Sequence, residues 1–117
     1  MNDLERIEAC VNELAWKTKF YFHPNKREIT VEFSLLSPAG HDFNMDISMV
    51  DGNIRGFVEN VKCYWDYYDP DEEAYLWLDN SGHGKCGAPH RMKDVAEDFE
   101  WIDNEIGKLY EQLLVKL

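Results

Sequence analysis

At 117 residues, 44% of them hydrophobic, the chain is long enough for one domain that buries roughly two-thirds of its unfolded surface and too short for two. Its 23 acids against 12 bases give a formal net charge of -11, a field that repels phosphate backbones and anionic lipid and attracts basic surfaces, including those of nucleic-acid-binding proteins. No run approaches the length of a membrane span, no apolar segment follows the opening MNDLERIEAC, and Cys10, Cys63 and Cys86 are an odd, widely spaced set, so the expectation is a soluble protein of the reducing cytoplasm.

The acid is unevenly placed: residues 1–58 hold nine acids and six bases, residues 59–105 thirteen acids and four bases. The one local excess of positive charge, Lys17, Lys19, Lys26 and Arg27 around Phe20, Tyr21 and Phe22, flanks a predicted hairpin turn. Edge and turn lysines account for it better than a grip on single-stranded nucleic acid.

In chain order, Asn2 caps a first helix with Glu5 at its third position, and Leu4, Ile7, Val11 and Leu14 give it an apolar seam to about Lys17. The period then drops to two. Phe20 and Phe22 flank Tyr21; Ile29, Val31, Phe33 and Leu35 alternate with Thr30, Glu32 and Ser34; Phe43, Met45, Ile47 and Met49 alternate with Asp42, Asn44, Asp46 and Ser48. Turns at His23 to Lys26 and Ser37 to Gly40 separate these runs, which predicts a three-stranded antiparallel meander with one apolar and one wet face.

Asp51 or Asn53 caps a second helix with inner positions Ile54, Phe57, Val58, Val61, Trp65 and Tyr68. Asp69-Pro70-Asp71-Glu72-Glu73 starts a short third helix, with a capping Asp, Pro at the first helical position and acids in the first turn. Ala74 to Asp79 complete that helix, or Tyr75 to Leu78 form a fourth strand; so short a run has no decisive period. A glycine-rich loop, Asn80 to Pro89, leads to a last helix from about His90, whose seam Met92, Val95, Phe99, Ile102, Ile106, Leu109 and Leu113 is the most regular pattern in the chain. The sheet's apolar face needs a cover and the seams need a floor, so the predicted fold is α+β, two layers, in the order α-β-β-β-α-(short α)-α over one domain, residues 1–117.

Three constellations bear on chemistry. Gly82-His83-Gly84-Lys85-Cys86-Gly87 has the spacing of a dinucleotide fingerprint, but no strand precedes it and only one helix follows, so the context for a nucleotide is missing. His83, Cys86 and His90 offer three zinc-competent side chains within eight residues, yet a fourth ligand must come from Asp79, Cys63, Cys10 or His41 across the fold. Cys86 beside histidines also has the makings of a nucleophile with its base, without an inferable oxyanion hole or pocket. No catalytic residue, metal or other cofactor is therefore expected, and a zinc site at His83, Cys86 and His90 is kept as the alternative.

What stands out is acid and aromatic. Tyr64, Trp65, Tyr67, Tyr68, Tyr75 and Trp77 are more rings than one inner face needs, so some are expected at the surface, where Tyr and Trp favour protein interfaces. Asp94, Glu97, Asp98, Glu100, Asp103 and Glu105 are expected on the outer faces of the last helix, six acids along roughly 16 Å at 1.5 Å per residue. Duplex DNA carries about ten phosphates over that length.

The segment from Tyr64 to Glu100, YWDYYDPDEEAYLWLDNSGHGKCGAPHRMKDVAEDFE, resembles small proteins carried by phages and mobile elements of gut bacteria. That resemblance implies an anti-CRISPR or antirestriction-like inhibitor that occupies the nucleic-acid site of a host defence protein, and it assigns no individual residue a role. The expectation is then a non-enzymatic acidic protein whose partner is a basic nucleic-acid-binding host protein, such as a CRISPR effector, with no direct contact to nucleic acid or membrane. The binding set is Asp66, Tyr67, Tyr68, Asp69, Asp71, Glu72, Glu73, Trp77, Asp94, Glu97, Asp98, Asp103 and Glu105. A homodimer through the strict seam of the last helix is a further alternative. Elemental analysis of protein purified without chelator decides the zinc alternative: about one equivalent supports it, and less than roughly a tenth removes it.

Overall fold

Alternation along three consecutive runs builds the sheet. In the computed structural model, which describes residues 2–38, 40, 42–77 and 92–117, β1 (Lys17–His23), β2 (Glu28–Leu36) and β3 (Asp42–Val50) form an antiparallel meander in the order β1-β2-β3. The register sets Phe20 opposite Val31 and Val31 opposite Ile47, with Phe33 opposite Met45 and Leu35 opposite Phe43, so the apolar side chains share one face. On the other face Lys19, Glu32 and Asp46 stand in one row. The helices are α1 (Asp3–Val11), α2 (Ile54–Tyr67), α3 (Pro70–Trp77) and α4 (Met92–Lys116), and a 3-10 turn at Pro24–Lys26 joins β1 to β2. This is the predicted α+β architecture and order.

Local chemistry sets the boundaries. The Asn2 Oδ1 accepts from the Glu5 N–H at 2.8 Å, and the Asn53 Oδ1 from the Gly56 N–H at 3.0 Å, so each side chain takes an orphan donor of the helix it opens. Asp69 does the same for α3, accepting from the Asp71 N–H at 3.0 Å, with Pro70 in the first helical position. α3 runs on to Trp77, which makes residues 75–77 helix rather than a fourth strand. Between β2 and β3 the Gly40 N–H donates to the Ser37 carbonyl at 2.9 Å, with Gly40 at a φ of 88°, where a side chain is strained.

The first helix is shorter than its seam predicts, ending at Val11 instead of near Lys17. Trp16 is the reason. It lies two residues past Leu14, roughly 200° round a helix from the seam, so a continued helix would turn its indole away from the core. With the helix broken, Trp16 is buried, packs edge-on against Phe33 and Phe43 at 6.3 and 6.0 Å, and donates from Nε1 to the Glu105 carbonyl at 3.1 Å.

α4 is the common support. Phe99, Ile102, Ile106, Leu109 and Leu113 are all buried, and the helix packs on α1, α2 and α3 while α2 packs on β3. The described part of the α4 seam is thus spent inside the chain's own core. No helix among the described residues is long and apolar enough to cross a membrane.

α2 meets α4 at Gly107, where an added Cβ would sit 2.7 Å from Cζ2 of Trp65. That indole cannot swing clear easily: it donates to the Asp103 Oδ1 at 3.0 Å and packs on Tyr110 at 6.0 Å. In an exposed helix Gly→Ala is worth about 1 kcal/mol of stabilisation. Here overpacking wins, and Gly107→Ala is expected to lower stability by about 1–2 kcal/mol. A urea midpoint equal to or above the parent's would show that Trp65 gives way.

Candidate functional site

Four rings in five residues cannot all face one core. At the C-terminal end of α2, Tyr64 and Tyr68 are four apart and share a side; both are half-buried and meet Phe43 edge-on, at 6.2 and 5.7 Å. Tyr68 also donates from its hydroxyl to the Phe99 carbonyl of α4 at 3.4 Å. Trp65 turns towards Asp103 and Tyr110. Tyr67 is left over, and at 89% exposure it is the most exposed large hydrophobic side chain among the described residues.

Carboxylates flank it in sequence and open the next helix. Asp66, Asp69, Asp71 and Glu72 are exposed, and Glu73 is half-buried. Asp66 is paired with Lys62 at 2.5 Å; the same lysine lies 4.9 Å over the Trp65 ring and 5.8 Å over Tyr110. Among the described residues no lysine or arginine forms an ion pair with Asp69, Asp71, Glu72, Glu73, Glu97, Glu100 or Asp103. The bonds from Trp65 to Asp103 and from Tyr68 to Phe99 bring the α4 stretch around Glu97 to Asp103 to the same end of the molecule as the α2–α3 junction.

Two residues of the expected binding set are not on the surface. Asp98 is 8% exposed and accepts from the Ser37 hydroxyl at 2.5 Å. Glu105 is 6% exposed and pairs with Lys108 at 3.1 Å. Both border the buried seam, because a helix with Ile102 and Leu109 inside carries positions 98 and 105 along the same stripe. Asp103 is half-buried, with an oxygen taken by Trp65, and only Glu97 and Glu100 of this stretch stand fully outward. The side chains of Trp77 and Asp94 lie outside the described residues, as do His83, Cys86 and His90. Among the described residues no group of three or more His, Cys, Asp or Glu side chains is arranged to hold a metal.

Beside Tyr67 the surface opens into a cleft of about 610 Å³, within the size range of ligand sites. One wall is the edge of β3 at Asp46, Ile47 and Ser48; the other is Asn60, Cys63, Tyr64 and Tyr67 of α2, with Tyr68 and Glu73 at the end. Burial, then the Glu73 and Asp46 carboxylates, raise the Tyr64 pKa. Burial, then Glu73, Tyr64, Asp103 and Asp98, raise that of Tyr68 further. Both phenols stay neutral donors. Burial and the neighbouring charges of Glu72 and Asp69 push Glu73 above its ordinary 4.5.

Of the expected set, Tyr67, Tyr68 and Glu73 line this cleft. Asp46 and Asn60 line it too but lie outside that set, because nothing local marks one wet-face strand residue or one helical amide as lining a cleft made by packing. No protein family, curated protein or solved structure matches the chain.

A carboxyl whose pKa is raised on folding carries a penalty that is complete above its folded pKa and absent below the unfolded value. Glu73→Gln is therefore expected to raise the melting temperature at pH 7, with the difference from the parent closing as the pH falls towards 4.5. Melting curves across that range check it; a gain that persisted in acid would place the penalty elsewhere.

Proposed function

We propose that this chain is a non-enzymatic acidic binding protein that docks on the basic, nucleic-acid-binding surface of another protein and so inhibits it, as an anti-CRISPR or antirestriction inhibitor does. The observation that carries the reading is Tyr67, almost wholly exposed, with the exposed carboxylates of Asp66, Asp69, Asp71 and Glu72 within five residues of it at the α2–α3 junction. A tyrosine left in water beside a run of charges has the composition of an interface anchor: a large amphipathic surface to bury, with charges close in sequence that steer the encounter. Exposed Glu97 and Glu100 belong to the α4 stretch that the Tyr68 bond to Phe99 brings to the same end.

With Asp98 and Glu105 withdrawn into the core, α4 alone does not match the charge density of a duplex. The field comes chiefly from the α2–α3 junction, so the partner is expected to present a compact basic patch rather than a long groove. The resemblance of the segment from Tyr64 to Glu100 to proteins of phages and mobile elements supports a bacterial defence or DNA-processing protein as that partner, with the inhibitor acting in the cytoplasm.

Capture of proteins from a bacterial lysate tests the reading. The parent is expected to retain a basic nucleic-acid-binding protein at low salt and to release it in salt near 0.5 M, where the Debye length falls well below 10 Å. The triple variant Glu72→Lys, Glu97→Lys, Glu100→Lys changes only exposed side chains, so it should melt within a few degrees of the parent while capturing at least about ten-fold less. Capture indifferent to both salt and charge reversal would remove this surface from consideration.

A further inference from the structure

The cleft beside Tyr67 has a composition as well as a charge. Its walls offer the rings of Tyr64, Tyr67 and Tyr68, the carboxylates of Asp46 and Glu73, and backbone carbonyls of β3. The Ser48 carbonyl accepts from the Asn60 side chain of α2 at 2.9 Å, so it points away from β2, and the alternation of a strand turns the Asp46 carbonyl the same way. The Glu73 carboxylate acts on both the Tyr64 and Tyr68 phenols, and Asp46 acts on Tyr64 from the strand side, which places negative charge at both walls of one aromatic pocket.

Within the chain, cations on rings are found elsewhere. Lys62 lies over Trp65 and Tyr110 and pairs with Asp66, and among the described residues no lysine or arginine lies over Tyr64, Tyr67 or Tyr68. The pocket thus combines aromatic rings and carboxylates, the groups that bind an organic cation, with no cation of the described chain upon it. Two features favour a guanidinium over an ammonium. Glu73 is partly withdrawn from water, which penalises the strongly hydrated lysine head group more than the weakly hydrated guanidinium; and a planar fork can lie on a tyrosine face while bonding a carboxylate edge. A volume of about 610 Å³ accommodates a whole arginine side chain.

We propose that this cleft receives an arginine side chain of the partner protein, its guanidinium held between tyrosine faces and the Glu73 carboxylate. The proposal rests on the reading of the chain as a binder of basic surfaces, and it names the contact that gives that binding its selectivity.

The test uses the full chain, isotopically labelled, titrated with the N-acetyl methylamides of arginine, lysine and citrulline in about 0.15 M salt and followed by two-dimensional NMR. Saturable shifts for arginine confined to residues 46–48, 60–68 and 73, about five- to ten-fold weaker binding of lysine, and no response to neutral citrulline are expected. Tyr67→Ala and Glu73→Gln should each weaken arginine binding by about ten-fold. Because Tyr67 is exposed, its variant should keep the parent's melting temperature, so lost binding cannot be laid to lost folding. Absence of saturable shifts, or equal shifts for arginine and lysine spread as far as Glu97 and Glu100, would overturn the pocket and leave the acidic docking surface standing. Arginine binding in the cleft with no salt-sensitive capture from lysate would instead keep the pocket and remove the docking reading.

Discussion

Burial of one helical stripe fixes most of this molecule. Phe99, Ile102, Ile106, Leu109 and Leu113 of α4 are all almost completely inaccessible, and each such side chain contributes about 1.5–3 kcal/mol when taken from water. Once that stripe faces inward, the rotation of α4 is set and its acids have no choice of direction. Asp98 and Glu105 lie roughly 60–80° from the centre of the stripe at 100° per residue, near enough to be drawn under cover, whereas Glu97 and Glu100 fall on the far side. The core then uses what it has buried. The Ser37 hydroxyl on Asp98 ties the β2–β3 turn to α4, and the Trp16 indole on the Glu105 carbonyl ties the α1–β1 connection to it. Bonds of this kind are costly to leave half made, so they help fix a single arrangement of layers.

The same geometry generates the candidate site. α2 is held against α4 by the close approach of Trp65 to Gly107 and by the Trp65 bond to Asp103, which fixes the rotation of α2 about its own axis. Tyr64 and Tyr68 are thereby directed at Phe43 and the sheet, and Tyr67, between them in sequence, is directed into water. An exposed tyrosine in this position is the consequence of four rings crowded into five residues on a helix with one inner stripe. The carboxylates that follow it in sequence are there for a separate reason: Asp69, Asp71, Glu72 and Glu73 open α3, where the N-terminal end of a helix favours negative charge.

What could be read from the residues follows from the range of the interactions involved. The three strands, the caps at Asn2, Asn53 and Asp69, the seam of α2 and the described part of the seam of α4 depend on neighbours two to four residues apart, and they stand where the pattern puts them. The end of α1 depends on Trp16 finding Glu105 eighty-nine positions away, and no local period contains that information. The burial of Asp98 and Glu105 is an intermediate case. The seam that hides them is plain in the sequence, but the buried stripe widens where the helix packs on several partners and takes in acids that sit off the seam itself. The cleft is the least legible feature, since it exists only because β3, α2 and the start of α3 converge, bringing Asp46 into the electrostatic reach of Tyr64.

Charge and shape act at different distances on this surface, and that difference decides which can confer selectivity. Exposed carboxylates such as Asp71, Glu72 and Glu97 act through water, where salt at physiological strength screens them beyond about 8 Å; they raise the rate of encounter with any basic surface and distinguish poorly among them. Half-buried Glu73 acts from the wall of a cleft lined with rings, where screening is weaker and a misplaced charge is penalised. The edge of β3 adds a second filter. Among the described residues β3 has a neighbour on one side only, and such an edge is a template for pairing with an extended chain, but the Asn60 side chain occupies the outward carbonyl of Ser48 and interrupts that template there. A side chain seated in the cleft, as proposed, would meet this edge beside the occupied Ser48 carbonyl, so such recognition would depend on the identity of the residue presented.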